Sequence, residues 1–294
     1  MPARRIFLYV FLAIIALGGL FFRPQIEDFF LSSKNKLADF KKNALDEAIQ
    51  NIEISVSAPP PLRTEKESPN PILTQAGTIK WTNINRQDNG LSALQENNKL
   101  DKAALEKARD MLDKQYFDHI SLSGKGPQDL AVSSDYSYIS IGENLAMGNF
   151  ANDKELLDAW MASPGHRENI LNRGFTEIGV AVMAGKFEGK NTWVAVQEFG
   201  TPLSICPPID ASLKKTITSN SAKISSLAAT LESKRSELSK LRSSDPSLPQ
   251  KIDEYNAMVK EYNGLVSKTK NLIKTYNSQV SEFNGCVKLH TQVN

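Results

Sequence analysis

The sequence predicts an α+β globular region, preceded by a transmembrane helix and followed by an antiparallel α-helical coiled-coil hairpin. Three observations carry this prediction. An apolar run lies near the start of the chain, amphipathic helices are followed by two β-rich runs in residues 72–202, and heptad-spaced apolar residues occupy residues 206–290. The 294 residues leave room for one domain of about 130 residues with its own core, plus accessory segments.

The N-terminal segment predicts export and membrane anchoring. Arg4 and Arg5 precede an apolar run from 6 to 22. A helix of that length spans about 26 Å, close to a ~30 Å hydrocarbon core. The positive-inside rule then leaves residues 1–5 in the cytoplasm and the rest of the chain outside the membrane. Secretion after cleavage of the apolar run as a signal stays open as the alternative.

Two further segments separate the apolar run from the globular region. Apolar residues recur at three- and four-residue steps through 25–54, which predicts a juxtamembrane amphipathic helix. Residues 57–71 contain five prolines among charged residues. That composition predicts an extended polyproline linker and a domain boundary.

The globular region begins with helical patterns. Residues 102–114 carry apolar side chains at helical spacing, and a second helix is predicted to begin at Asn152 or Asp153 as its N-cap. The second helix is expected to bury Leu156 and Trp160. Helices of this kind need a sheet or another helix to cover their apolar faces.

A β-hairpin is predicted at the end of the globular region. Two β-rich runs, 178–183 and 192–199, flank a segment that contains Gly185 and Gly189. This arrangement is typical of two antiparallel strands joined by a glycine-containing loop. Helices followed by a hairpin favour an α+β layered domain.

Residues 206–290 predict the helical hairpin. Two heptad runs are separated by a break that contains Pro246 and Pro249, which a continuous helix does not accommodate. If the arms fold back on each other, seam positions pair at an index sum of 493. The pairs are Ile217 with Tyr276, Leu227 with Val266, Leu231 with Tyr262, and Leu238 with Tyr255. Polar residues on the seam are expected to set its register.

The same register brings Cys206 and Cys286 together at the base of the hairpin, since their index sum is 492. They are the only cysteines in the chain. We therefore predict that they form a disulfide, as expected outside the cytoplasm. Closure of a loop of about 80 residues contributes around 4 kcal/mol in chain-entropy terms.

Charge excludes one class of partner and leaves others open. The net charge is +2, and no dense Lys/Arg stripe with interleaved aromatic residues occurs anywhere in the sequence. Nucleic-acid binding is therefore not predicted.

The candidate residues for catalysis or metal binding are His119 and His166, which flank Glu143 in the sequence. Imidazole nitrogen and carboxylate oxygen are the ligands of a zinc-like ion, so these three residues are predicted as a divalent-metal and catalytic set.

Local motifs around these residues resemble a known family. Gly142 to Leu145 and Ser163 to Asn172 resemble hallmark motifs of the CAP superfamily, which includes cysteine-rich secretory proteins, antigen 5 and pathogenesis-related class 1 proteins. The form is similar to the bacterial secreted branch. The resemblance covers about 130 residues and implies an α-β-α sandwich over residues 72–202.

The resemblance also implies a cleft of two His and two Glu, which binds a divalent metal in some relatives. His119, Glu143 and His166 match three members of this set. The fourth position is Ser163 here, a poor metal ligand. Glu168, five residues later, is a conceivable substitute for the missing carboxylate.

Three functions follow as hypotheses. The first is a membrane-anchored binding or modulatory protein of the cell envelope, whose partner is a glycan, a lipid or a surface protein. The second is a metal-assisted, peptidase-like hydrolase in which Glu143 positions a water molecule. The third is a structural envelope protein that works through its coiled-coil hairpin.

Overall fold

The computed structural model describes residues 55–242 and 244–291. Two compact units divide them. The sheet unit contains residues 55–208 and 281–291, and the hairpin unit contains residues 209–280. The predicted tail 1–5, transmembrane segment 6–22 and juxtamembrane helix 25–54 lie outside the described residues. Within the described ranges, no helix combines the length and apolar character that crossing a membrane requires.

The sheet unit is built on a mixed sheet. Its strands are β1 (Ser55–Ser57), β2 (Leu62–Glu67), β3 (Gln95–Glu96), β4 (Tyr138–Asn149), β5 (Glu177–Phe187) and β6 (Lys190–Pro202). The order is β1-β4-β6-β5-β3, and β2 also pairs with β4. The long central strands are antiparallel, whereas β1, β2 and β3 run parallel to their neighbours. Most residues of β4 and of the second half of β6 are buried, as expected for a sheet that is covered on both sides.

The predicted β-hairpin is confirmed, and its strands are longer than expected. β5 and β6 pair from Glu177–Gly200 to Phe187–Lys190. Gly185 was predicted in the loop and lies instead within β5. The turn consists of Glu188 and Gly189 alone, both with positive φ. A two-residue turn of this kind matches the twist of the strands, which allows pairing to continue up to it.

Helices cover both faces of this sheet. They are α1 (Gln75–Asp88), α2 (Asn98–Lys114), α3 (Pro127–Ser133), α4 (Asp153–Ala162) and α5 (Pro164–Ile170). Asn152 is the N-cap of α4, as predicted, and accepts a hydrogen bond from the Glu155 amide. α2 begins four residues before the predicted start because Asn97 caps it.

Two apolar cores lie on opposite faces of the strands. On β4, Ala146 packs in one core and Leu145 in the other. The first core contains the fully buried Trp160 of α4, and the second contains Met111 of α2. Since neighbouring residues of a strand point to opposite faces, the unit is a helix-sheet-helix sandwich. The predicted α+β architecture is confirmed.

The proline-rich segment differs from its prediction as a linker. Residues 57–71 include Pro59, Pro60 and Pro61, which lie in no helix or strand, but β1 and β2 on either side of these prolines pair with β4. The segment is therefore part of the sheet unit. The polyproline conformation of the prolines stays a prediction. Composition carried no information about the side of β4 with which β1 and β2 pair.

The hairpin unit consists of α6 (Ala211–Lys240) and the larger part of α7 (Leu248–Thr291). The two helices pack antiparallel. Lys251 pairs with Glu237 near the turn, and the Asp210 amide donates to Gln279 at the other end. Predicted seam partners share the same apolar clusters, namely Ile217 with Tyr276 and Leu231 with Tyr262. The predicted hairpin is present, while supercoiling of its helices stays a prediction.

The predicted disulfide is confirmed. Cys206 and Cys286 are bonded, with a Cα–Cα distance of 5.7 Å and a sequence separation of 80. Cys206 follows a short 3-10 helix, Leu203–Ile205, and Cys286 lies in α7 within residues 281–291 of the sheet unit. The bond therefore ties two distant stretches of chain into one unit.

Candidate functional site

The three predicted site residues come from three elements of the sheet unit. Glu143 lies at the centre of β4, His119 follows α2 in a loop, and His166 lies in the first turn of α5. All three side chains are buried. His119 Nδ1 lies 2.6 Å from Glu143 Oε1. The fold thus brings His119 into contact with Glu143, and His166 lies near enough for the charge of His119 to affect its pKa.

The second ring nitrogen of His119 contacts the proline-rich segment. Nε2 hydrogen-bonds the backbone carbonyl of Pro59. Because a carbonyl oxygen only accepts, Nε2 is the protonated nitrogen. The 2.6 Å contact on the other side of the ring then places one proton between Nδ1 and Glu143 Oε1. Both nitrogens of His119 are therefore occupied.

Glu198 is a site residue that the sequence analysis missed. It lies directly opposite Glu143 in the β4–β6 register and is buried. Burial, together with the charge of Glu143, raises the pKa of Glu198 well above its usual range. Burial therefore extends the pH range over which Glu198 stays in its neutral form. The signal was present in the sequence, since Glu198 and Gln197 are the polar residues of the otherwise apolar run 193–199, where an ionisable side chain is costly to bury.

Lys107 is the second residue that was missed. It lies on the core face of α2, between Ala104 and Ala108 in the burial pattern, and only 1% of the residue is exposed. Its Nζ donates to the backbone carbonyl of His119 at 2.6 Å. Burial lowers the pKa of Lys107, and the charges of Glu143 and Glu198 oppose that shift. Lys107 therefore holds the His119 loop and faces the two carboxyl groups as their nearby cation.

His166 is held in the neutral form. Ser163 Oγ lies 2.8 Å from its Nδ1. Burial, and secondarily the charge of His119, lower the pKa of His166 to about 4. Ser163 occupies the position where the resemblance implies a glutamate, and in this chain its hydroxyl orients the histidine ring. Glu168 is exposed and does not replace the glutamate, so the second carboxyl group near Glu143 comes from β6 instead.

Amide side chains connect α5 to β4 beneath the site. Asn169 donates to the Glu143 carbonyl and to Asn144 Oδ1. Asn144 in turn donates to the His166 carbonyl and to Gln197 Oε1. These bonds satisfy backbone and side-chain groups that burial would otherwise leave unpaired. They fix the position of α5, and hence of His166, relative to the strand that carries Glu143.

A family comparison identifies this sandwich. Residues 80–199, about two fifths of the chain, match the model of the CAP, or cysteine-rich secretory protein, family. The region is a CAP domain. His119, Glu143, His166 and Glu198 all lie within the matched residues, so the resemblance drawn from the motifs is confirmed.

Two curated relatives share part of this CAP domain. The uncharacterized protein YkwD of Bacillus subtilis (strain 168) is 44% identical over 115 residues, which are 39% of this chain and 43% of that protein. The uncharacterized membrane protein YlbC of the same organism is 29% identical over 104 residues, which are 35% and 30% of the two chains. This chain therefore spans less than half the length of each relative.

Two solved structures are also similar to this chain. One is an extracellular protein containing an SCP domain from Bacillus anthracis str. Ames, with 27% identity, a TM-score of 0.37, and coverage of 43% of this chain and 40% of that one. The other is an outer surface protein from Borrelia burgdorferi, with 26% identity, a TM-score of 0.37, and coverage of 42% of this chain and 89% of that one.

The donor atoms of the CAP domain do not fit a metal ion as they are arranged. Nε2 of His119 is engaged by Pro59 and Nδ1 by Glu143. Across residues 55–242 and 244–291, no three His, Cys, Asp or Glu side chains lie close enough together to hold an ion. The predicted metal set of His119, Glu143 and His166 therefore requires a rearrangement, in which the carbonyl of Pro59 leaves His119.

Proposed function

We propose that the protein is an extracytoplasmic binding protein of the cell envelope, and that the His119–Glu143 cleft of its CAP domain is the binding site. The observation that carries this proposal is a set of buried polar atoms without hydrogen-bond partners. They are Glu143 Oε2, His166 Nε2 and both carboxyl oxygens of Glu198, none of which has a partner at good hydrogen-bond geometry. The remaining interactions, of Glu198 with Glu143 and of His166 with the Leu145 backbone, affect the pKa values of Glu198 and His166 but do not meet that geometry. A buried polar atom that lacks a partner costs about 1–3 kcal/mol.

A cluster of this kind is poor for stability and well suited to recognition. Apolar residues of similar volume at these positions would remove the desolvation cost. Perturbed pKa values of Glu198 and His166, at one place and with stated physical causes, are typical of functional sites. A carboxyl group accepts hydrogen bonds and, when protonated, also donates one, so a pair of carboxyl groups beside a histidine suits a ligand with both donor and acceptor groups.

The proposed location outside the cytoplasm rests on three supports. The N-terminal run 6–22 has the length and flanking charge of a membrane anchor. The bond between Cys206 and Cys286 belongs to an oxidising compartment. One relative that shares the CAP domain is named as a membrane protein. Anchoring by the N-terminal helix, with the CAP domain and hairpin outside, is the arrangement we propose.

Metal-assisted hydrolysis is the second candidate, and one observation favours it. The lowered pKa of His166 favours the neutral ring that a metal ligand requires, and its Nε2 has no partner at good hydrogen-bond geometry. Metal binding by His119 also requires that its Nε2 lose the hydrogen bond to the Pro59 carbonyl. Calorimetric titration of the full chain with zinc tests it directly. Stoichiometric binding that is lost in His119→Ala and in His166→Ala supports hydrolysis, and absence of zinc binding in the unaltered chain removes it.

The binding role is tested by thermal shift on the full chain in detergent. The panel contains soluble peptidoglycan fragments, a short-chain phospholipid and extended peptides. At a hundredfold excess over the Kd, we expect one class to raise the Tm of the CAP domain by about 5 °C. The shift should disappear in His166→Ala and Glu198→Gln. It should persist in Glu168→Gln, a matched control at an exposed carboxylate.

Equal shifts in all four proteins would contradict a binding site at this cleft. No shift with any class would contradict the binding role itself.

A further inference from the structure

The long strand β4 has two hydrogen-bonding sides, and β6 pairs with one of them along most of its length. Its other side is covered by β1 and β2, both from the segment before the CAP-family match. Without them β4 would be an edge strand, with a row of unpaired amide and carbonyl groups. Such an edge accepts an extended peptide as an added strand.

The segment that contains β1 and β2 does not pair with β4 over the interval that contains Glu143 of the candidate site. β1 pairs in parallel up to Ser57–Gly142, and β2 resumes at Leu62–Ala146. Residues 58–61, which include three consecutive prolines, pass the interval that contains Glu143. Proline has no amide hydrogen for a strand ladder. The segment is therefore held at this point by its carbonyls and its shape.

The cleft makes specific contacts to this proline turn. The Pro59 carbonyl accepts from His119, and the Ser57 carbonyl accepts weakly from Asn169 Nδ2 at 3.4 Å. Gly165, at the start of α5, lies directly beneath Pro59. A Cβ added at Gly165 would lie 2.7 Å from Pro59 Cβ, closer than packed carbon atoms come. Residues from the His119 loop and from α5 thus form a surface that fits a proline in an extended chain.

The two halves of the segment are held unequally. In β2, Arg63 stacks over both Phe117 and Phe187, and Lys66 forms an ion pair with Glu155. In the described part of β1, by contrast, Val56 is 43% exposed, and no cation–π contact or ion pair of Ser55–Ser57 is present. The anchored half therefore acts as a tether, and the half that covers the cleft is the easier one to replace.

We propose that the β1 side of β4 is a binding groove for an extended, proline-containing peptide that pairs in parallel with β4, and that residues 55–61 are its tethered occupant. This proposal rests on the proposed binding role of the cleft and names the chemical class of its ligand. The carbonyl of the ligand's proline takes the hydrogen bond from His119, and the ring packs over Gly165. A tethered segment has an effective concentration on the order of millimolar, so it masks the groove against weak external peptides.

The test uses the full chain in detergent and a fluorescein-labelled peptide with the sequence of residues 55–67. In the key variant, Pro59, Pro60 and Pro61 are all replaced by glycine, which loosens the tethered occupant by raising its chain entropy. Fluorescence anisotropy should show that the labelled peptide binds this variant roughly tenfold or more tightly than the unaltered chain. The same peptide with three glycines in place of the prolines should bind at least about tenfold more weakly.

A substitution in the groove identifies the place of binding. Adding Gly165→Leu to the triple-glycine variant should abolish peptide binding, because its side chain fills the space of the proline ring. Gly264→Leu in the same background is the matched control, since nothing lies within 4 Å of a Cβ at Gly264. Equal binding in the presence of Gly165→Leu would overturn the groove assignment.

Hydrogen exchange on the unaltered chain gives a second measurement that does not depend on the folding of a variant. Millimolar peptide should speed exchange of the Val56 and Ser57 amides by displacing β1, and the glycine peptide should leave them unchanged. If neither measurement detects peptide binding while a glycan or phospholipid raises the Tm in a cleft-dependent way, the peptide class is wrong and the binding role stands. If no class shifts the Tm, the binding role fails as well.

Discussion

The CAP domain and the helical hairpin bury polar groups in opposite ways. The CAP domain encloses ionisable side chains, among them Lys107, Glu143, His166 and Glu198. In residues 209–242 and 244–280 of the hairpin, the buried polar side chains are uncharged: Asn220, Ser221 and Thr269. Charged groups are expensive to desolvate. The contrast indicates that burial of ionisable side chains lowers the stability of the CAP domain at the candidate site. The buried polar side chains of the hairpin carry no such cost.

Removal of the largest buried side chain should destabilise the CAP domain and leave the stability of the hairpin unchanged. Trp160→Ala is expected to destabilise the CAP domain by roughly 3–5 kcal/mol, because Trp160 is fully buried at the centre of one core. Urea unfolding followed by the fluorescence of Trp81 and Trp193 measures this loss. The partly buried Trp81, changed to alanine, is the control and should cost less.

Hydrogen exchange of the hairpin in Trp160→Ala sharpens the comparison. Amides of Ile217 to Leu231 in α6 should keep their protection, because the hairpin unit has its own apolar clusters. Loss of their protection together with that of the CAP core would contradict independent stability of the two regions.

Acid should destabilise the CAP domain selectively. The pKa of His166 is lowered to about 4 in the folded protein, against an ordinary value of 6.5. Between these pH values His166 binds a proton in the unfolded chain but not in the folded chain, so the free energy of unfolding falls as the pH falls from 6.5 to 4. The full effect is about 3 kcal/mol.

The measurement is the urea midpoint of tryptophan fluorescence at several pH values in this window. His166→Gln should flatten this part of the pH dependence, since glutamine does not titrate. An unchanged slope in that variant would assign the acid sensitivity to other groups.

Neutralising Glu198 should stabilise the protein at alkaline pH. Its raised folded pKa means that, above the ordinary value of 4.5, the unfolded chain loses a proton that the folded chain retains. Stability therefore falls as pH rises through that range. Glu198→Gln removes this dependence, and we expect a gain of roughly 1 kcal/mol at pH 8 that shrinks toward pH 5. Thermal unfolding at both pH values measures it, with the exposed Glu168→Gln expected to change stability by less than about 0.5 kcal/mol.

The smallest effect is expected in the hairpin. Asn220 is buried on the seam, and its Nδ2 lacks a hydrogen-bond partner. Asn220→Leu should therefore stabilise the hairpin by about 1 kcal/mol. All three tryptophans, Trp81, Trp160 and Trp193, lie in the CAP domain. Circular dichroism at 222 nm should therefore report a higher melting temperature for the helices while tryptophan fluorescence stays unchanged. A loss of helix stability would show that Asn220 sets the register at this position, as the seam pattern predicts.

The site could be predicted only in part. His119, Glu143 and His166 were found because short motifs surround them, and Ser163 was recognised as a departure. Glu198 and Lys107 were missed because each lies in a regular element whose periodicity draws attention to its apolar neighbours. Their importance depends on burial and on proximity to Glu143, neither of which local sequence records.

The sequence by itself determined the features that repeat along the chain. Heptad spacing placed Ile217 opposite Tyr276, and the same count predicted the Cys206–Cys286 bond, since a helical hairpin converts sequence distance directly into position. Motif and strand patterns were enough for the sandwich and for the β5–β6 hairpin. In these elements the contacts are local or follow one constant register, so the spacing of apolar residues along the sequence is enough to predict them.

Only the tertiary structure decided which segments pair with β4. The proline segment and the unpaired side of β4 are about 80 residues apart, and their pairing depends on sheet order, which side-chain periodicity does not encode. The same long-range pairing places Glu198 opposite Glu143 and Pro59 against His119. The protonation and access of the candidate site are set by these contacts, because desolvation and charge proximity exist only once distant strands have come together.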